Sequence, residues 1–174
     1  MAVPISAELR AALLDYVAEL RASPWADDWR WTDPAGWHIT LAFLGSISPS
    51  AVPDIAARVE EVAARHVSFT VEIGSLSAFP SLRRPRVLWI GVHDSRRALE
   101  QLAWDLRRVF GLPVIAPFVG HVTLARSRGA PIQLVATSAQ LQQPFSTAVV
   151  EVRLYRSEPG NGTYSTLHSA GLPS

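Results

Sequence analysis

The stretch from Trp37 to Gly45 reads W-H-I-T-L-A-F-L-G, and the stretch from Gly120 to Arg126 reads G-H-V-T-L-A-R. Both carry His, an aliphatic residue, Thr, Leu and Ala in that order. Side chains alternate faces along a strand, so each segment shows an imidazole and a hydroxyl on one side. His38 and Thr40 share a face, opposite Ile39, Leu41 and Phe43. His121 and Thr123 share a face, opposite Val122 and Leu124. The aliphatic faces are expected to pack inward. Given the numbers of His and Thr in this chain, chance supplies roughly 0.2 His-x-Thr triplets. A lone histidine in a strand is ordinarily satisfied by a neighbour and has no further task. Two copies in matched apolar contexts call for a shared one.

Two imidazoles flanking a reacting centre make an acid–base pair, because their ordinary pKa lets one be charged while the other is neutral. Two hydroxyls can donate hydrogen bonds to anionic oxygens held between them. The set suits in-line attack on a phosphodiester. A metal site is the competing reading. Neither strand adds a second His or a carboxylate at ligand spacing, and two His alone leave zinc short of ligands. The chain has no cysteine, so thiolate nucleophiles, Cys-based metal sites and disulfides are excluded. No G-x-S-x-G elbow is present for a serine nucleophile.

The chain has 174 residues, 48% of them apolar, enough to bury a core without staples. Its net charge of +1 gives no bulk attraction to nucleic acid. Every one of its 16 basic residues is arginine, which fits coding bias and also suits phosphate recognition by guanidinium forks. No signal-like segment opens the sequence, and no run reaches the roughly 20 apolar residues of a membrane span. A soluble, cytoplasmic protein with no membrane partner is the expectation.

Outward from the two motifs, helical and strand patterns alternate. Ser6 is positioned to cap a helix with Leu9, Leu13, Leu14, Val17 and Leu20 on its apolar stripe. Trp29 to Thr32 reads as extended, Asp33 to Gly36 as a turn, and His38 to Leu44 as a strand closed by Gly45. A second helix is expected from Ala51 to about Ala64, then strands over Ser68 to Leu76 and Val87 to Val92. Ser95 is the expected cap of a third helix carrying Leu99, Leu102, Leu106 and Phe110, with Gly111 as its stop. Val119 to Arg126 is the second His-Thr strand. Pro131 to Gln143 reads as either a short strand or loop. Phe145 to Tyr155 and Tyr164 to Leu172 read as a hairpin around Glu158 to Gly162. Short turns between strands favour antiparallel pairing and hence an α+β fold.

With the motifs in place, the sequence resembles the 2H phosphoesterases, and within them the bacterial RNA 2′,3′-cyclic phosphodiesterase family, also called the 2′-5′ RNA ligase family. The resemblance rests on H-I-T-L-A-F-L-G, on H-V-T-L-A-R, on F-P-S-L-R-R-P-R-V-L-W-I-G-V from Phe79 to Val92, and on Y-R-S-E from Tyr155 to Glu158. It implies one domain over residues 1–174, built of two pseudo-symmetric lobes. Their related antiparallel sheets would face a central cleft, with helices outside. It implies hydrolysis of 2′,3′-cyclic phosphate ends to 2′-phosphomonoesters with no metal and no cofactor, acting on RNA ends or small cyclic nucleotides. Carried over, His38 is the proton donor and His121 the proton acceptor, while Thr40, Thr123 and Arg126 hold the phosphate. A monomer is expected. The alternatives are 2′-5′ ligation of RNA ends by the same histidines, or a non-catalytic RNA-end binder.

Three features depart from that pattern: a first strand confined to Met1–Ile5, Asp33-Pro34-Ala35-Gly36-Trp37 before the first His, and Val119-Gly120 before the second. Strict alternation also turns Arg126 away from the His121 face, so the strand must end or bend there. Arg83, Arg84 and Arg86 make either a solvated loop or a basic rim for RNA. Trp25, Trp29, Trp31 and Trp37 are expected mainly in packing, with base stacking as the alternative. His66, His93 and His168 lack a Thr partner and are expected to be structural or surface residues.

Overall fold

The computed structural model describes residues 1–114, 117–129, 145–158 and 163–174. Among them, β1 (Ala2–Pro4), α1 (Ala7–Arg21), β2 (Trp29–Trp31) and β3 (His38–Thr40) come first. α2 (Val52–Ala63), β4 (Phe69–Phe79), β5 (Val87–His93) and α3 (Ala98–Val109) follow. The chain closes with β6 (His121–Ser127), β7 (Ser146–Val149), β8 (Glu151–Ser157) and β9 (Tyr164–Gly171). Every strand pairing is antiparallel. The strands run in the order β7-β4-β5-β6-β3-β1-β8-β9, and β2 pairs with β6 beside that path. The expected α+β class is therefore present. Its two antiparallel groups meet edge to edge where β3 pairs with β6.

The sheet has to curl. β7 lies at one end of the strand order and β8 near the other, yet only Val150 separates them. Two residues of chain span at most about 7 Å, so the far edges are drawn toward each other. The Ser68 amide, just before β4, donates to the carbonyl of Pro173, just after β9, at 2.6 Å. Phe145 to Tyr155 is therefore two strands, not the expected one. The break falls at Val150, which is exposed because the chain leaves one edge there and joins the other.

Other expectations are corrected by local physics. Leu14 is 44% exposed, and Tyr16 takes its place on the buried stripe with Leu9, Leu13, Val17 and Leu20. Leu14 lies about 100° around the helix from Leu13, off the core-facing side. Ser6 does cap α1, its hydroxyl accepting from the Leu9 amide at 3.1 Å. Ser95 does not cap α3. Asp94 takes that role, accepting from the amides of Arg96 at 2.9 Å and Leu99 at 2.8 Å. The first His-Thr strand ends at Thr40 instead of Leu44. The amides of Leu41 and Ala42 both donate to the Met1 carbonyl, at 3.0 and 3.2 Å, and two donors on one acceptor break the ladder. Leu41 stays buried, but Phe43 is 76% exposed, not packed inward.

Pro131 to Gln143 and positions 159–162 of the expected hairpin turn lie outside the described residues, although β8 and β9 pair on either side of that turn. Short as it is, β1 is an interior strand, flanked by β3 and β8. α2 packs against β8, β9 and α3. Ile39, Val122, Leu124, Leu88 and Ile90 are fully buried in the core beneath the sheet. Trp25, Trp29 and Trp37 are buried there as expected, while Trp31 is only partly covered.

Gly120 sits where β6 enters the sheet. A Cβ at this position would lie 2.7 Å from the Val92 carbonyl oxygen and 2.9 Å from Leu99 Cδ2. Gly120→Ala should cost about 1–3 kcal/mol through this overpacking. The cost should appear as a lowered urea midpoint; an unchanged midpoint would show that the contact relaxes freely.

Candidate active site

The β3–β6 seam determines the site. Ile39 and Val122 are cross-strand partners, both fully buried. Their neighbours must point to the opposite face of the sheet. Extending that antiparallel register sets His38 across from Thr123 and Thr40 across from His121. The two motifs thus interlock crosswise, each imidazole facing the other strand's hydroxyl. The two histidines take the diagonal positions, whose separation is typically about 7–8 Å, room for a phosphate between them.

Each imidazole is aimed in the same way. His38 Nδ1 donates to the Gly36 carbonyl at 2.7 Å, and His121 Nδ1 to the Val119 carbonyl at 2.8 Å. With the proton held on Nδ1, the neutral ring keeps Nε2 as its free acceptor. His38 Nε2 lies 3.0 Å from Thr40 Oγ1. Aromatic rings fix each histidine from the side. Tyr164 meets the His38 ring edge-on at 4.7 Å between centroids and Tyr155 stands at 5.7 Å. Phe79 meets the His121 ring edge-on at 5.0 Å and Trp89 stands at 5.6 Å.

Arg126 joins this group because β6 bends. Thr123 pairs with Trp89, but Ala125 pairs with Leu88, which leaves Leu124 as an extra residue in β6. A β-bulge of this kind shifts the alternation by one. Leu124 and Ala125 are consecutive buried residues, and Arg126 comes round to the His121 and Thr123 side. The bend required by the sequence is this bulge. Thr32 holds it in place: its hydroxyl contacts the carbonyls of Leu124 at 2.8 Å and Thr123 at 3.0 Å. The same hydroxyl accepts from Trp37 Nε1 at 2.8 Å. One side chain therefore links the bulge to the residue preceding His38.

A cleft of about 470 Å³ opens over these groups, lined by His38, Thr40, Thr123, Arg126, Arg30 and Tyr164 among others. His121 does not border that volume directly and stands beside it against Phe79 and Trp89. Burial pushes the pKa of both histidines below the ordinary value, and the bonds to Gly36 and Val119 oppose that shift in part. The Arg126 charge lowers both further, and for His38 the positive chain terminus and His121 add to it. Among the described residues no group of three or more His, Cys, Asp or Glu gathers to hold a metal.

The LigT-like phosphoesterase family model matches residues 3–89 and again 90–164, so that each match contains one His-x-Thr motif. The chain belongs to this family. Similar curated proteins are named RNA 2′,3′-cyclic phosphodiesterase. The one from Aquifex aeolicus is 34% identical over 56% of this chain and 54% of its own length. That of Geobacillus stearothermophilus is 30% identical over 90% of this chain and 51% of its own length. The alignments thus span about half of these two relatives. The Thermus thermophilus protein is 28% identical over 98% of this chain and 88% of its own. Among solved structures, that of E. coli LigT with 3′-AMP superposes with a TM-score of 0.76 at 27% identity, covering 99% of this chain and 96% of that one. The crystal structure of a Thermus thermophilus protein gives 0.76 at 27% identity, over 98% and 95%.

In this LigT-like phosphoesterase, Arg30, Thr32, Tyr155 and Tyr164 join the site although the sequence reading gave them no role there. For Arg30 a signal existed in W-R-W: two large apolar residues around an arginine place it on the opposite face of a strand. Arg83, Arg84 and Arg86 are exposed on the loop after β4, which fits a solvated loop and a basic rim alike. His66 pairs with Asp105 at 3.0 Å and His168 with Glu60 at 2.9 Å, away from the cleft.

The lowered pKa of both imidazoles sets the sign of the pH response. If the two imidazoles act as an acid–base pair, one must be charged and the other neutral, and kcat/KM peaks between the two free-enzyme pKa values. Both lie below the ordinary value of about 6.5. The maximum should therefore fall below about pH 6.5, with activity lost as pH rises and the acid gives up its proton. Removing the Arg126 charge in Arg126→Gln should shift the profile to higher pH. A maximum above about pH 7, or no shift in the variant, would contradict this electrostatic account.

Proposed function

We propose that this protein is an RNA 2′,3′-cyclic phosphodiesterase that converts cyclic phosphate ends to 2′-phosphomonoesters. The crosswise His-Thr pairing at the β3–β6 seam carries this reading, because it gives a bound phosphate an imidazole on each side and a hydroxyl at each end. The names of the similar curated proteins agree with it. The substrates are RNA ends or small cyclic nucleotides. Both motifs come from one chain, so a monomer suffices.

The step takes the roles that the family resemblance implies for the two histidines. His121 Nε2 takes a proton from water as the water oxygen attacks phosphorus. The bond from phosphorus to O3′ breaks in line with that attack. His38, charged at this point, gives its Nε2 proton to the departing O3′. The phosphate remains on O2′, and the two histidines exchange their protonation states. Solvent resets them. Thr40 and Thr123 hydroxyls and the Arg126 guanidinium bind the non-bridging oxygens, where negative charge grows in the transition state. Thr40 suits its place twice: its hydroxyl donates to neutral His38 and accepts from the charged form. The reaction uses general acid–base and electrostatic catalysis supplied by side chains alone.

His38→Ala and His121→Ala should each lower turnover of a short RNA bearing a 2′,3′-cyclic phosphate by about 10²–10⁴-fold, with unfolding midpoints kept. Full activity in both variants would defeat the mechanism. The product should be the 2′-phosphate; a 3′-phosphate would reverse the leaving group. Turnover is expected to persist in EDTA, and loss restored by zinc would favour the metal reading.

A further inference from the structure

Arg30 and Arg126 are cross-strand partners in the β2–β6 pairing. Directly opposed residues point to the same face of a sheet, and both of these line the cleft. Like charges set directly opposite each other are destabilising. Among the described residues neither guanidinium has a carboxylate within ion-pair distance, whereas Arg97, Arg108, Arg153 and Arg156 all do. The two carboxylates lining the cleft are engaged elsewhere. Asp33 accepts from the Ala35 amide at 2.8 Å. Glu158 accepts from Arg156 at 2.8 Å and from Ser165 at 3.0 Å. The cleft thus keeps two opposed, uncompensated forks on one wall.

An anion between them converts this repulsion into charge-assisted, fork-shaped hydrogen bonds. Under the function proposed above Arg126 serves the reacting phosphate, which leaves Arg30 for a second anion. Along β6 the His–Thr quartet occupies the positions at and beside Val122, and the Arg30–Arg126 pair lies further along the strand. Arg30, on β2 directly opposite Arg126, therefore lies past the quartet along the cleft. The anion one step out from a 2′,3′-cyclic phosphate is the 5′-phosphate of the same nucleotide.

We propose that Arg30 binds the 5′-phosphate of the terminal nucleotide, making the protein selective for cyclic ends carried on a 5′-linked nucleotide over bare cyclic nucleosides. This rests on the cyclic phosphodiesterase reading above. A tether of this kind also positions the ribose, so that O3′ is held toward His38. In an RNA strand the 5′-phosphate is the last internucleotide link, so oligonucleotide ends satisfy the site.

The test compares adenosine 2′,3′-cyclic phosphate bearing a 5′-hydroxyl with the same compound bearing a 5′-phosphate. The native protein should favour the 5′-phosphorylated substrate by about tenfold in kcat/KM, the size of one charge-assisted contact. In Arg30→Gln the ratio should fall close to one. It should also shrink with added salt. A variant that merely misfolds in part would lower both substrates together and keep the ratio. A ratio near one in the native protein, or an unchanged ratio in Arg30→Gln, would overturn the proposal. If neither substrate is turned over, the phosphodiesterase reading fails, and calorimetry then tests Arg30 alone. Tighter binding of adenosine 2′,5′-bisphosphate than of adenosine 2′-monophosphate, lost in Arg30→Gln, supports the site. Equal affinities would reject it.

Discussion

The pairing of Ile39 with Val122 is the contact on which the molecule turns. It joins the two antiparallel halves, and it buries two aliphatic side chains at the centre of the sheet. Burial of these two forces their neighbours outward, and those neighbours are His38, Thr40, His121 and Thr123. The hydrophobic effect thus supplies the aim of a polar site: sliding one strand by a single residue would turn that strand's aliphatic residue and its His–Thr pair to the wrong faces. The backbone carbonyls of Gly36 and Val119 then set ring tautomer, and aromatic neighbours set ring angle.

The two halves repeat a motif but end it differently. In the first half the ladder stops at Thr40, because Leu41 and Ala42 share the Met1 carbonyl, and Phe43 is left in solvent. In the second half the strand continues through a bulge at Leu124, supported by the Thr32 hydroxyl, and delivers Arg126 to the cleft. A repeated sequence therefore yields an asymmetric site. The second motif alone is followed by an arginine in the cleft, and the Arg126 charge acts on both imidazoles.

Electrostatics and burial act together here. The histidines are withdrawn from water, which favours their neutral forms, and the guanidinium beside them adds to that preference. Negative charge brought into the cleft would act in the opposite direction and favour the protonated forms.

Much of this was legible from residue order. Alternation in H-I-T and H-V-T placed each His with its Thr. Ser6, Gly111 and the helical stripes located the helices, and the apolar runs located most strands. Those features are local, set by pattern and by backbone chemistry within a few residues. The misjudged positions depend on distant partners. The end of β3 is decided by a carbonyl at Met1 and the break at Val150 by closure of the sheet; the cap of α3 is the exception, a local choice between the adjacent Asp94 and Ser95. Arg30 came to Arg126, and Thr32 to Leu124, because β2 and β3 lie end to end along β6. No local rule contains that arrangement; it arises when a curled sheet pairs strands that are far apart in sequence.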